Sequence, residues 1–137
     1  MKQSLEFASH PGNLSMMRDY VRAFLAPMGF AELDIDLMVL GLDEASTNII
    51  RYAYNHEETH FICLTCEKNA GGVIFTLRDH GMQCDPSTLQ ARCLDEVKPG
   101  GLGLHLIRRA FDTVEYNLKD VGTELVLAKS LPAVPAK

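Results

Sequence analysis

Four short stretches of this sequence carry residue types that could do chemistry together. Glu44 and Asn48 stand four apart in Glu44-Ala45-Ser46-Thr47-Asn48. On a helix that spacing puts both on one face, a turn from each other. The helix is otherwise apolar enough to be buried, where an unpaired carboxylate costs several kcal/mol. Arg78-Asp79-His80-Gly81 forms the second stretch. A carboxylate at the end of a strand can accept a hydrogen bond from an exocyclic amine, and the glycine lets a flat base approach the backbone. The third, Gly100-Gly101-Leu102-Gly103-Leu104, opens a helix. Glycines there let phosphate oxygens reach backbone N–H groups at the helix's positive end. The fourth is Gly122-Thr123, at the entry to the last strand.

Taken singly, each stretch also has an ordinary reading. An acid and an amide at i, i+4 suit a solvated helix stripe. Asp-x-Gly suits a plain turn, and a glycine-rich helix entry needs no ligand. The glycine stretch is neither a dinucleotide-binding fingerprint nor a Walker loop, because no strand leads into G-x-G-x-x-G and no Gly-Lys-Ser/Thr follows.

The elements that must position these residues follow from periodicity. Ser4–Ala8 reads as a short strand, broken by Pro11 and Gly12. Asn13 is expected to cap a helix running to about Ala26, with Leu14, Met17, Val21, Phe24 and Leu25 on its buried side. Asp34 is expected to cap a second helix reaching about Tyr54, with Leu37, Leu40, Ile49 and Ala53 on its apolar side. Phe61–Lys68 and Val73–Arg78 form a hairpin around Asn69-Ala70-Gly71-Gly72. Residues 79–99 form a long connection of the kind that serves as a lid, with a helical turn or two possible over Ser87–Leu94. A third helix runs to about Phe111, and Thr113–Lys119 pairs with Thr123–Ser130 around Asp120-Val121-Gly122. Hairpin-paired strands with helices grouped on one face make an α+β fold, a two-layer α/β sandwich with a mixed, mostly antiparallel sheet.

Composition narrows the function classes. The 137 residues suit one domain, and 47% hydrophobic with 23% charged residues is a globular balance. A net charge of −5 speaks against direct nucleic-acid binding but not against a nucleotide held by backbone amides. No apolar run approaches the roughly 20 residues of a membrane span, and the first residues lack the apolar core of a signal peptide, so a cytoplasmic location is expected. Cys63 and Cys66 form a C-x-x-C, but on a strand an offset of three puts the thiols on opposite faces. Cys84 and Cys93 fall in the long connection, the five histidines show no metal spacing, and Met16, Met17 and Met38 are expected in the core. The last residues, 132–137, are expected to form a mobile tail beyond a domain at 1–131.

The four stretches come in a fixed order, and in that order they resemble the GHKL superfamily of gyrase-type ATPases and histidine kinases. Within it the chain resembles the anti-sigma-factor serine kinases. LGLDEASTNIIRYAY is similar to that family's N box, RDHG to its first glycine box, PGGLGLHLI to its second and VGTEL to its closing strand. LEFASHPGNLSMMRDYVRAFL resembles the opening strand and helix, so the likeness runs from about Leu5 to Leu131.

The resemblance implies a Bergerat-type site for ATP and Mg²⁺. Asn48 would bind magnesium, a cation that takes hard oxygen ligands. Glu44 would be the catalytic base, orienting or deprotonating a serine hydroxyl or a water. Asp79 would read the adenine amino group, supported by Thr123. Gly81, Gly101 and Gly103, with Leu102 and Leu104 in the same box, would make room for base and phosphates. Arg51 would touch phosphate, and Lys98 is the lid's nearest cation to the glycine loop. The partners implied are a STAS-type anti-sigma-factor antagonist bearing the acceptor serine, a sigma factor and a second copy of the chain. A nucleotide-dependent switch without kinase activity is the alternative. Two positions depart from the family's pattern: Tyr52 stands where a histidine is common, and Gln83 replaces the second glycine of the first box.

Overall fold

The computed structural model describes residues 1–83 and 99–132, with the backbone alone for 99–104. The lid reading, Lys98, Cys84, Cys93 and the end of the tail lie outside the described residues. The described residues include five strands: β1 (Lys2–Ala8), β2 (Phe61–Lys68), β3 (Gly72–Arg78), β4 (Thr113–Leu118) and β5 (Thr123–Ser130). They form one sheet in the order β1-β2-β3-β5-β4, with every pair antiparallel. Among the described residues, three α-helices cover one face: α1 (Leu14–Leu25), α2 (Glu32–Asn48) and α3 (Pro99–Ala110).

Alternation along the strands explains the two layers. Ile62, Leu64 and Cys66 of β2 and Val73, Phe75 and Leu77 of β3 are fully buried, while Cys63, Thr65 and Thr76 on the other face are partly open. The C-x-x-C thiols therefore do lie on opposite faces, and both are free. Phe75 sits at the centre of the core, edge-on to Phe24 of α1 at 5.8 Å and to Phe111 at the end of α3 at 5.9 Å. Gly41 lets α2 approach α3: a Cβ there would lie 3.1 Å from the Phe111 ring and 3.2 Å from the Ala110 methyl. Asn69 closes the β2–β3 turn, its side-chain oxygen accepting from the Gly71 and Gly72 N–H groups at 2.9 and 3.0 Å.

Several expectations are corrected. Asn13 is not a side-chain cap: its backbone is already helical, and its amide donates to the Ala8 carbonyl at 3.0 Å. His10 does the capping instead, accepting from the Gly12 N–H at 2.8 Å at the head of a short 3₁₀ turn. The second helix starts at Glu32, so Asp34 lies inside the first turn, where an acid meets the positive end of the helix. Met16 and Leu40 are exposed, because they fall outside the stripe that Met17, Val21, Met38 and Leu42 turn toward the sheet. Leu131 packs on the core, inside the expected domain, and Pro132 is half-buried.

The second helix does reach Ala53, but not as a plain α-helix. Residues Ile49–Ala53 form a π turn in direct continuation of α2, closed by the Tyr54 N–H donating to the Ile49 carbonyl at 2.9 Å. One extra residue in a helical turn rotates everything beyond it by about 100° relative to the α register. Asn55 and His56 then adopt positive φ, 50° and 65°, and end the helical body.

Candidate functional site

The end of α2, the exit of β3 and the entry of β5 meet at one end of the sheet. Between them lies a small cleft that opens to solvent. Ala45, Asn48, Ile49, Tyr52 and Ala53 line it from the helix side. Asp79, Met82, Tyr116, Thr123 and Leu125 line it from the sheet side. Three residues picked out by the sequence, Asn48, Asp79 and Thr123, therefore share one cavity although they are far apart in the chain.

Asn48 is 6% exposed, and neither its side-chain nitrogen nor its oxygen has a hydrogen-bond partner among the described residues. A buried amide left this way costs about 1–3 kcal/mol for each lost bond. Such a group is retained where something else satisfies it. A carboxamide oxygen at the lining of the cleft fits the hard-oxygen donor set of Mg²⁺, so Asn48 suits the metal the resemblance implies.

Asp79 is 3% exposed. Its carboxylate accepts the Gly81 N–H at 3.0 Å, and its own N–H donates to the Thr123 carbonyl at 3.0 Å. Burial pushes its pKa above the ordinary aspartate value. The Gly81 and Thr123 amides pull it back, and Arg78 and His80 pull it further. A carboxylate held by backbone amides keeps oxygen lone pairs for a donor entering the cleft.

Two glycines shape this turn. Gly122 has φ +75°, and a Cβ there would collide with the Asp79 carbonyl, so the β4–β5 turn rests directly on the Asp79 backbone. A Cβ at Gly81 would collide with the Ala53 carbonyl. Gly81 thus makes room for the π turn.

Glu44 lies outside the cleft lining, one turn before Asn48, and is half-buried. Its pKa is raised, first by burial and then by Asp43, against the opposing charge of Arg51. Arg51 is exposed. A carboxyl whose pKa is raised in this way holds a proton more readily than a free glutamate does.

Gly101, Leu102, Gly103 and Leu104 fall in the first two turns of α3, which carries no acid in its first turn. That helix ends beside Gly41, about two turns before Asn48, and its chain passes at once into β4, where Thr113 pairs with Ala128 at the end of the sheet remote from Thr123. A 12-residue helix is about 18 Å long. Its first turn leaves backbone N–H groups without intrahelical partners.

The sequence reading missed the apolar lining, Ile49, Ala53, Tyr116 and Leu125. Strand alternation held the signal for two of them: Leu125 lies two residues after Thr123, on the same face, and pairs with Tyr116. Gln83 does not leave a gap where the family has glycine. Its side-chain amide donates to the Lys119 carbonyl and, at 2.7 Å, to the Gly122 carbonyl, gripping the β4–β5 turn. Among the described residues no cluster of His, Cys, Asp and Glu could hold a metal ion, and no helix is long and apolar enough to cross a membrane.

An antiparallel sheet under one helical layer is the two-layer architecture the resemblance implies. Sequence comparison agrees: residues 7–129 match the histidine kinase-like ATPase domain, and the chain belongs to that family. One relative is the serine/threonine-protein kinase BtrW of Bordetella bronchiseptica, 33% identical over 94 residues, 66% of each chain. Others are an anti-sigma F factor of Clostridium beijerinckii, 27% identical over 97% of this chain and 96% of that one, and the serine-protein kinase RsbW of Bacillus cereus, 28% identical over 74% and 68%. The fold is shared with the structure of the RsbU and RsbW domains of a Mycobacterium tuberculosis protein, at a TM-score of 0.71 and 17% identity, over all of this chain and 35% of that one.

Proposed function

We propose that this chain is an ATP- and Mg²⁺-dependent serine protein kinase that also acts as an anti-sigma factor. One observation carries the reading: Asn48 and Asp79 line one cleft, the first with its buried amide unpartnered among the described residues, the second with its carboxylate held by backbone amides. The names of the relatives, anti-sigma factor and serine-protein kinase, supply the rest.

In this reading the Asn48 oxygen holds the metal. Asp79 accepts the adenine amino group, with Thr123 behind it. Arg51, Lys98 and the backbone amides of Gly101–Leu104 would be the groups that meet the phosphates, and Gly81 would set the turn beneath the base. Magnesium-bound ATP supplies the phosphoryl group and the charge neutralisation that in-line transfer needs. Glu44 accepts the proton of the attacking serine hydroxyl, which its raised pKa favours. Tyr52, Ile49 and Leu125 surround the base and exclude water. The acceptor is a STAS-type antagonist, the sequestered partner is a sigma factor, the working form is a homodimer, and the compartment is the cytoplasm.

The test is transfer of the γ-phosphate of labelled ATP to a purified antagonist. The reading expects label on a serine with wild type and at least a hundredfold slower transfer with Glu44→Ala. ATP binding without any phosphoprotein would favour a partner-capture switch over a kinase.

A further inference from the structure

We propose that Tyr54 is a positioning residue for base recognition: its hydroxyl locks the Arg78–Gly81 turn, and with it the Asp79 carboxylate, against the helix that carries Asn48. The proposal rests on the reading of the cleft as an ATP site and names what sets its geometry.

Tyr54 follows the π turn directly and is 3% exposed. Its O–H donates to the Phe61 carbonyl at 2.6 Å, and its oxygen accepts the His80 N–H at 2.9 Å. One phenol thus ties the start of β2 to the residue next to Asp79. Burial raises its pKa, which keeps the group neutral and able to donate and accept at once. Its ring stacks on His60 with centroids 4.6 Å apart and planes 11° from parallel, so the hydroxyl has little freedom to wander.

The neighbouring residues repeat the attachment. The Met82 N–H donates to the Ala53 carbonyl at 2.7 Å, and the Gly81 backbone packs on that same carbonyl. Residues 80, 81 and 82 are therefore all held by residues 53 and 54. Asp79 is the next residue back, and Asn48 immediately precedes the π turn. The extra residue in that turn aims Tyr54 at His80, since in an α register its side chain would point about 100° elsewhere. The spacing between the metal-side amide and the base-side carboxylate is accordingly fixed by the π turn and one hydroxyl.

The experiment compares ATP with inosine triphosphate, which carries a carbonyl in place of the adenine amine. Calorimetry with Mg²⁺ gives Kd for both nucleotides on wild type and on Tyr54→Phe. The expected result is a clear wild-type preference for ATP that falls about tenfold in Tyr54→Phe, with the inosine nucleotide's Kd within about twofold of wild type. A purely structural tyrosine would weaken both nucleotides together or neither, and either pattern overturns the proposal. A wild type without any preference overturns the Asp79 reading itself, and it is seen before any substitution is made. A second measurement needs no variant and covers failure of Tyr54→Phe to fold. In wild type the His80 amide should exchange slowly with solvent, and more slowly still with ATP than with inosine triphosphate. Fast exchange, or equal slowing by both nucleotides, contradicts the proposal.

Discussion

Replacing Asn48 with alanine separates the demands of folding from those of binding. The wild-type amide is buried at 6% exposure, and among the described residues neither polar atom has a partner. Each orphaned atom costs the nucleotide-free fold about 1–3 kcal/mol. Asn48→Ala removes both orphans, and water can follow into the open cleft, so the cavity term is small. Against this stands the lost packing of the amide, and a net gain of about 1 kcal/mol is expected. For 137 residues the unfolding entropy converts that into a thermal midpoint about 3–4 °C above wild type. With nucleotide the order reverses. At a hundredfold excess over Kd, magnesium-ATP stabilises wild type by about 2.7 kcal/mol, or roughly 9 °C. The variant should gain far less, and the same amount with or without magnesium. Differential scanning fluorimetry under four conditions reads all of this. A nucleotide-free variant that melts well below wild type would show the amide to be structural. A full magnesium-dependent shift in the variant would show that the metal lies elsewhere. Either result refutes the reasoning.

Other outcomes follow from the same geometry. Glu44 has a raised pKa, so the acid limb of the transfer rate should have its midpoint above the ordinary glutamate value of 4.5. Arg51→Ala removes the charge that lowers it and should move that limb to still higher pH, read in a pH–rate profile. Asp79 binds its proton more tightly folded than unfolded, so its contribution to stability falls as pH rises from 3.8 through the raised folded value. Asp79→Asn should therefore flatten the pH dependence of the thermal midpoint, be at least as stable as wild type at pH 7 and bind ATP more weakly. Gly122→Ala meets both positive φ and the Asp79 carbonyl, and should destabilise the fold by about 3 kcal/mol, near 10 °C in melting temperature.

The sheet and the cleft's polar residues could be read from the sequence because their signals are local. Alternation in FICLTCEK and VIFTLR needs only a period of two, and a carboxylate before a glycine at a strand end needs only the turn. The π turn could not be read that way. Asn48–Tyr54 satisfies a helical pattern in either register, and the choice is made by contacts with Gly81, His80 and Met82, nearly thirty residues on. Tyr54 was passed over for the same reason: its two hydrogen bonds are both tertiary. Asn13 and Asp34 show the opposite failure, where residues with the right local propensity were displaced, one by His10 and the other by a helix start two residues earlier. Gln83 marks a third limit. In the sequence it is only a departure from the glycine pattern, whereas in the fold its amide grips the Lys119 and Gly122 carbonyls.

A crystal structure of the chain with Mg²⁺ and a non-hydrolysable ATP analogue tests the central claim most directly. The account predicts the base in the cleft with its amino group on the Asp79 carboxylate, the metal on the Asn48 side-chain oxygen and the phosphates toward the first turn of α3. A nucleotide bound elsewhere, or one bound in the cleft with Asn48 and Asp79 both untouched, would contradict it.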